Sequence, residues 1–158
     1  MINYNEKYLK IKNKLIQKSF PELKGKKIFI GEIWMRKYYS GWACYIPPLK
    51  FIGLGKRLRT KNSKIITGVI THELCHFSLI FQRSLLENIF AGISYWFSSK
   101  RRKQEEYNTE KLLVQKGYAK EAYASSKDAE LVKTHAKIQK YYMSAEQIKK
   151  YAKKIGKW

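Results

Sequence analysis

The sequence predicts an α+β fold: a small antiparallel sheet of about three strands packed on two long helices, with extra helices at the N- and C-terminal ends. Three short runs between residues 26 and 58 are rich in aromatic and β-branched residues and are bounded by Gly and Pro, as antiparallel strands are. A long apolar run without proline comes next, and a charged run with helical spacing comes later. These observations place the sheet before both long helices.

The N-terminal helix is predicted from apolar residues at intervals of three to four, and it ends before Pro21. The residues of this stripe are Tyr4, Tyr8, Ile11 and Leu15. The three strand candidates are KKIFIGEIW after Gly25, WACYI after Gly41, and KFIGLGKRL after Pro47-Pro48. Their composition and their Gly and Pro boundaries favour a small sheet.

The later part of the chain is predicted to be helical. Capping residues at 60–63 precede KIITGVITHELCHFSLIF, which indicates one helix with Gly68 as a weak point. A second apolar helix over about 85–97 leads into the charged SSKRRKQEEYNTEKLLVQKG, which ends at Gly117. Two Lys-rich helices follow, and Ser144 with Gln147 resembles a capping box for the last one.

Length and charge set the broad class. We expect 158 residues to form a single domain, 1–158, with 117–158 as a C-terminal helical extension and a candidate regulatory segment. The formal charge of +21 attracts polyanions, so nucleic acid and anionic membrane are candidate partners, although not the main ones. The basic residues are spread from Lys7 to Lys157, which is also typical of a solvated surface.

The cysteines and the apolar segments predict a soluble, cytoplasmic protein. Cys44 and Cys75 are too few for a disulfide framework, and the start, MINYNEKYLKIKNK, does not resemble a signal peptide. The most apolar region, 77–97, is interrupted by polar residues, so we expect it to pack in the core, with contact at a membrane interface as the alternative. The interrupting residues are Gln82, Arg83, Glu87 and Asn88.

The motif HELCH, residues 72–76, carries the chemistry. Four residues advance a helix by about 400°, so His72 and His76 lie on one face and can reach a common metal ion. Glu73 lies beside that face, where it can accept a proton from the attacking water and return it to the leaving amine. The alternative is a helix with two incidental histidines, although the motif uses two of only three in the chain.

A catalytic zinc usually has three protein ligands, so a third must come from elsewhere. The candidates are His135 and the acidic group Glu105, Glu106 and Glu110 on the downstream helix. Glu106 and Glu110 are four residues apart and share a face, so one can bind the metal while the other orients a ligating histidine.

The motif HELCH followed by EYNTE, residues 106–110, resembles the gluzincin metallopeptidases, specifically the HtpX-like and CAAX-processing peptidases and the small soluble minigluzincins. The resemblance covers roughly residues 50–120. It implies a zincin-like fold in which HELCH lies on an active-site helix and EYNTE on a glutamate helix, with Zn²⁺ held by His72, His76 and Glu106. Glu110 stands where the family usually has a supporting Asp.

The resemblance also implies a peptide or protein substrate bound along an edge strand of the sheet, which we expect in KFIGLGKRL. The residues of that candidate strand are Phe51, Ile52, Gly53 and Leu54. A donor for the oxyanion is also needed; His135 is the first candidate, and Tyr141 and Tyr142 lie nearby in the chain. Since minigluzincins are described as zymogens, the C-terminal segment is a candidate for holding the enzyme latent or for mediating a homodimer.

The sequence thus predicts a zinc-dependent endopeptidase with Glu73 as general base and acid. One alternative is a SprT-like, DNA-associated protease, which the +21 charge would suit but which resembles a scheme with a third His ligand. The other is a non-catalytic basic module that binds nucleic acid or membrane and cleaves nothing.

Overall fold

The computed structural model describes residues 3–33, 41–46, 49–128, 131 and 139–158, and most of these residues are helical. The α-helices are α1 (Tyr4–Ser19), α2 (Ser63–Phe81), α3 (Leu85–Phe97), α4 (Ser99–Gln115), α5 (Ala119–Lys127) and α6 (Ala145–Lys154). Short 3-10 helices lie at Pro21–Leu23, Lys56–Thr60 and Gln139–Tyr141. Helices and a small sheet together give the α+β class that the sequence predicts.

The sheet contains β1 (Phe29–Ile33), β2 (Gly41–Ile46) and β3 (Leu49–Gly55) in the order β1-β3-β2. The β2–β3 pair is antiparallel, whereas β1 runs parallel to β3. The prediction of a wholly antiparallel sheet is therefore wrong for β1. Short apolar runs indicate where strands lie, but they do not determine the order of the strands in the sheet. Here β3 lies between β1 and β2, so the consecutive strands β1 and β2 are not neighbours.

The predicted substrate edge strand is not at an edge. Phe51, Ile52, Gly53 and Leu54 lie in β3, the central strand, whose two sides pair with β1 and β2. Its backbone groups are therefore used within the sheet and are not available to an added peptide. Among the described residues, the edge strand that contacts the HELCH helix is β2.

Helix α2 lies at the centre of the fold. It begins at the predicted capping cluster, where the Asn62 side chain accepts a hydrogen bond from the Ile65 N–H. It contacts α1, α4, α5 and β2. A Cβ on Gly68 would lie 2.5 Å from the Glu121 carbonyl oxygen, so glycine allows α5 to pack closely on α2. The fully buried apolar side chains of α2 form much of the core, and include Ile66, Ile70, Leu74 and Phe77.

The C-terminal region belongs to the same core. The predicted capping box of α6 is present, with Ser144 and Gln147 each accepting a backbone N–H from the other. Ile148 and Ala152 of α6 are fully buried, and α6 contacts α4 and α5. Helix α6 is therefore a structural part of the domain.

Helix α3 does not pack as predicted. Phe77 lies in α2 and is buried, but Ala91 is the only residue buried among the 13 of α3. The expectation of core packing is therefore wrong for residues 85–97, because the large apolar side chains of α3 face away from the protein. Within the described residues, no helix has the length and apolar character that crossing a membrane requires.

Candidate metal centre

Two helices bring the three predicted ligands together. His72 and His76 lie one turn apart on α2, and their Nε2 atoms are 3.2 Å apart. Glu106 comes from α4, and its Oε2 atom lies 3.2 Å from His72 Nε2 and 3.4 Å from His76 Nε2. In the described part of the chain this is the group that could hold a metal ion.

The spacing of the three donor atoms suits a tetrahedral ion. Bonds of 2.0–2.1 Å at tetrahedral angles would separate the donors by about 3.3 Å. The observed separations of 3.2, 3.2 and 3.4 Å form a nearly equilateral triangle of that size. A fourth position on an ion above this triangle would remain for water or substrate.

Thr109 sets the orientation of His76. Its Oγ1 donates to the Glu105 carbonyl oxygen at 2.9 Å and lies 3.3 Å from His76 Nδ1. Since the hydroxyl hydrogen is already used, the His76 Nδ1–H must be the donor in that second bond. In a neutral imidazole the lone pair is then on Nε2, the atom that faces Glu106.

Thr109 was not predicted from the sequence, because a carboxylate was expected as the partner of a candidate ligand histidine. The signal that could have found it is its position in EYNTE, three residues after Glu106 and so on the same face of α4.

Glu106 is held from both sides. Its Oε2 faces the two imidazoles, while its Oε1 accepts a hydrogen bond from the Tyr95 hydroxyl at 2.6 Å. Burial by itself would raise the pKa of Glu106, but the charge of His76 and the hydrogen bonds of His72 and His76 hold it well below its ordinary value. Burial and the nearby Glu106 charge raise the pKa of Tyr95, so Tyr95 remains a proton donor. Tyr95, on α3, was not predicted.

The neighbouring Glu105 has different partners from those of Glu106. It forms ion pairs with Arg83 at 2.7 Å and with Arg101 at 2.9 Å. One residue along a helix turns the side chain by about 100°, which explains why adjacent glutamates face different partners. Glu105 therefore joins α4 to the segment between α2 and α3, whereas Glu106 faces the histidines.

Glu73 lies buried beside the histidines and against β2. Burial raises the pKa of Glu73, and the Glu106 charge adds to this, while His72, His76 and a hydrogen bond from the Ala43 backbone N–H act in the opposite direction. A Cβ on Gly41 would lie 2.6 Å from Glu73 Oε1, so glycine at that position leaves room for the carboxylate.

Glu110 does not take the predicted position against a histidine. Among the described contacts its Oε2 accepts the Met143 N–H at 2.5 Å, so it joins α4 to the C-terminal region. Burial raises the pKa of Glu110 to about 8, and the Glu106 charge contributes. The hydrogen bond to a ligating imidazole that was expected of Glu110 is made by Thr109.

A cavity of about 90 Å³ adjoins His72 and Glu73. Its lining includes Gly41 and Val69, Glu110 and Leu113 of α4, and residues of α5 and the C-terminal region. From that region come Ala122, Ser125, Ser126, Leu131, Gln139 and Tyr142. The centre of the Tyr142 ring lies 5.7 Å from that of His72. The C-terminal part of the chain therefore forms part of the cavity wall beside His72.

The three candidate oxyanion donors are in different situations. Tyr142 is half-buried at the site, and desolvation followed by the Glu106 charge raises its pKa well above the ordinary value, so its hydroxyl stays protonated. Tyr141 instead lies under the guanidinium of Arg102, 5.0 Å from its ring centre. His135 lies outside the described residues.

Comparisons of the chain with models of known protein families, with curated proteins and with solved structures find no match. The geometry of the metal centre therefore carries the functional proposal.

Proposed function

We propose that this protein is a zinc-dependent endopeptidase of the gluzincin type with a zincin-like fold. The observation that carries the proposal is the triangle formed by His72, His76 and Glu106, with the carboxylate of Glu73 beside it. Two imidazoles and one carboxylate at tetrahedral spacing are a donor set suited to zinc, whereas calcium and magnesium prefer oxygen ligands alone.

The chain's own residues suit peptide hydrolysis. When bound, zinc would supply Lewis-acid polarisation of the scissile carbonyl and lower the pKa of water. Glu73 would take a proton from the attacking water and give it to the leaving amine nitrogen. The Ala43 N–H holds the carboxylate of Glu73 in place for this exchange. Tyr142, protonated and half-buried next to His72, is the described candidate for the oxyanion donor.

The edge of β2 is the proposed substrate position. The Ala43 N–H donates a hydrogen bond to the Glu73 carboxylate. At Ala43 the backbone N–H therefore points away from β3 and towards the metal centre. An extended peptide added along that edge would bring a scissile carbonyl near Glu73. This proposal replaces the β3 residues Phe51, Ile52, Gly53 and Leu54 as the binding strand.

The C-terminal region is proposed to restrict access to the site. Tyr142 and Gln139 line the cavity next to His72, and Glu110 fixes the following Met143 through its backbone. Helices α5 and α6 supply residues of the hydrophobic core such as Ala122 and Ile148. Truncating the chain would therefore remove part of the core together with the residues that restrict access to the site. Point variants therefore test latency better than truncation.

The experiment that tests the proposed function compares zinc content and cleavage of a quenched fluorescent peptide. Glu73→Gln should bind zinc as the wild type does and lose activity by roughly 10²–10⁴-fold, because the proton acceptor is removed. Glu106→Gln should lower zinc affinity and activity together, and the matched Glu105→Gln should leave zinc affinity close to that of the wild type. A chelator should abolish wild-type cleavage, and added zinc should restore it.

Two outcomes would contradict the peptidase proposal. Equal cleavage by the wild type and by Glu73→Gln would assign the activity to another site or to a contaminant. Stoichiometric zinc binding without cleavage of any peptide in a diverse library would favour a structural metal site.

Variants of Tyr142 separate a covering role from a catalytic role. If the ring only covers the site, Tyr142→Ala should raise activity and Tyr142→Phe should match the wild type. If the hydroxyl donates to the oxyanion, both variants should lose activity, by roughly 10²–10³-fold. The matched control is Tyr151→Phe, whose hydroxyl accepts a hydrogen bond from Gln115 away from the metal centre.

A further inference from the structure

Helix α3 directs its apolar side chains away from the protein. At 100° per residue, seven large apolar residues fall within an arc of about 140° on one side of the helix. They are Leu85, Leu86, Ile89, Phe90, Ile93, Trp96 and Phe97, and each is between 49% and 89% exposed. We call this set the α3 face. An ordinary surface helix directs such a stripe towards the core, so the orientation of α3 needs another explanation.

The orientation of α3 is fixed by contacts on its opposite side. The Asn88 side-chain amide donates to the Ile80 carbonyl at 2.9 Å, and Tyr95 donates to Glu106. Ala91 is buried between them. The Arg102 side chain donates to the carbonyl oxygens of Tyr95 and Trp96 at the end of the helix. These contacts hold the polar and small residues inward and leave the α3 face outward.

A cluster of positive charge adjoins the aromatic end of the α3 face. The first turns of α4 contain Lys100, Arg101, Arg102 and Lys103 in succession, and no acidic residue lies in the first turn. Cations at a helix N-terminus are disfavoured by the helix dipole, although the ion pair of Arg101 with Glu105 offsets part of that cost. The side chains of Lys100 and Lys103 are exposed, and both residues follow Trp96 and Phe97 within seven positions of the chain.

We propose that the α3 face docks on an anionic lipid surface, with its apolar side chains in the interface and the basic cluster at the level of the lipid headgroups. The 13 residues of α3 span about 20 Å, so the helix would lie in the plane of the interface. Tryptophan at its end suits the headgroup level, and the basic residues suit anionic lipid.

An anionic membrane explains both features better than the other occupants. A second copy would bring another +21 charge towards the first, which opposes association. Nucleic acid would neutralise the basic cluster, but its phosphate backbone would not bury seven adjacent large apolar side chains. A lipid surface satisfies the apolar arc and the charge together. Docking would also hold the metal centre near the membrane, because Tyr95 of α3 contacts Glu106.

Vesicle sedimentation with the full-length chain tests the proposal. The wild type should bind phosphatidylcholine vesicles containing phosphatidylserine, should bind pure phosphatidylcholine much more weakly, and should dissociate as salt is raised. The double variant Phe90→Ser/Phe97→Ser should reduce partitioning by at least about tenfold. The matched control, Leu9→Ser/Phe29→Ser, removes two exposed apolar side chains of α1 and β1 and should bind as the wild type does.

Two further experiments test the contribution of the basic cluster to lipid binding and the depth of Trp96 in the membrane. Lys100→Gln/Lys103→Gln should weaken binding more than Lys14→Gln/Lys18→Gln, which removes two exposed charges on α1. Lipids with brominated chains should quench the fluorescence of the wild type, and Trp96→Phe should lose most of that quenching. Circular dichroism of each variant controls for folding.

Three results would overturn the proposal: no binding of the wild type to phosphatidylserine vesicles, equal binding by the α3 variant and its control, or a dimer that the α3 variant converts to monomers without any vesicle binding. The last result would identify a second copy as the occupant. Cleavage of a soluble peptide without vesicles should be unchanged in the Phe90→Ser/Phe97→Ser variant. The outcome of the vesicle experiment is therefore independent of whether the protein is a peptidase.

Discussion

The hydroxyl of Thr109 lies 3.3 Å from Nδ1 of His76 and links that imidazole to the Glu105 carbonyl on α4. The link fixes both the orientation of the ring and the nitrogen that faces Glu106. Helix α4 therefore supplies a candidate ligand, Glu106, and also Thr109, which orients the candidate ligand His76 on α2.

Replacing Thr109 by Ala should weaken zinc binding by roughly 10–100-fold, because the His76 Nδ1–H loses its acceptor and the ring is free to rotate. Competition with a chromophoric chelator measures this change. Thr109→Ser keeps the hydroxyl and should retain most of the affinity. Equal losses in the two variants would show that the methyl group and packing matter rather than the hydrogen bond.

Tyr95→Phe should lower zinc affinity by a smaller factor, about three- to tenfold. The Tyr95 hydroxyl holds Glu106 Oε1 at 2.6 Å, and without it the carboxylate has more freedom while its second oxygen still faces the imidazoles. The same competition assay measures the effect. Tyr107→Phe is the matched control on α4, since the Tyr107 hydroxyl contacts Gln147 at 3.3 Å outside the metal centre. An equal loss in Tyr107→Phe would point to general destabilisation.

Several features could be predicted because they depend on residues close together in the chain. Spacing along one helix brings His72 and His76 together, and local capping chemistry begins α2 at Asn62 and α6 at Ser144. Glu106 could be proposed as a ligand because the resemblance supplied a second helix for HELCH to face. Its convergence on the histidines then depends on how α2 packs against α4.

Other features depend on contacts that local patterns do not determine. The parallel pairing of β1 with β3 follows from strand order, which the composition of each strand does not encode. The exposure of α3 was missed because an apolar run is equally compatible with a core helix and with an interfacial helix. Thr109, and not Glu110, contacts His76. Both residues lie on the same turn of α4, and only the neighbouring elements decide which of them meets the imidazole.

Glu110 should make the stability of the metal-free protein depend on pH. Burial raises its pKa from 4.5 to about 8, so between those values the folded state binds a proton that the unfolded state lacks. The free energy of unfolding should therefore fall as pH rises through this window. Glu110→Gln removes the effect: it should match the wild type near pH 4 and exceed it at about pH 9 by a few kcal/mol. Urea denaturation of the chelator-treated proteins measures the difference.

Glu22 serves as a control, because its effect on stability should have the opposite dependence on pH. Although burial acts against it, hydrogen bonds from Ser78 and Lys116 lower the pKa of Glu22, so its stabilising effect is present at neutral pH and is lost as pH falls through its lowered pKa. Glu22→Gln should therefore be less stable than the wild type at neutral pH and approach it in acid. A pH-independent gap between the wild type and Glu110→Gln would contradict a protonated Glu110 in the fold.

Gly41→Ala should impair cleavage while leaving zinc binding intact. The added Cβ would lie 2.6 Å from Glu73 Oε1 and 2.9 Å from Val69 Cγ1, so either β2 or the Glu73 carboxylate must move. Since general-base catalysis depends on the position of that carboxylate, we expect kcat to fall by at least about tenfold. Gly31→Ala is the matched control in another strand, because its Cβ would meet nothing closer than 3.8 Å. Unchanged kcat in Gly41→Ala, with a normal melting temperature, would mean that Glu73 is not positioned by β2.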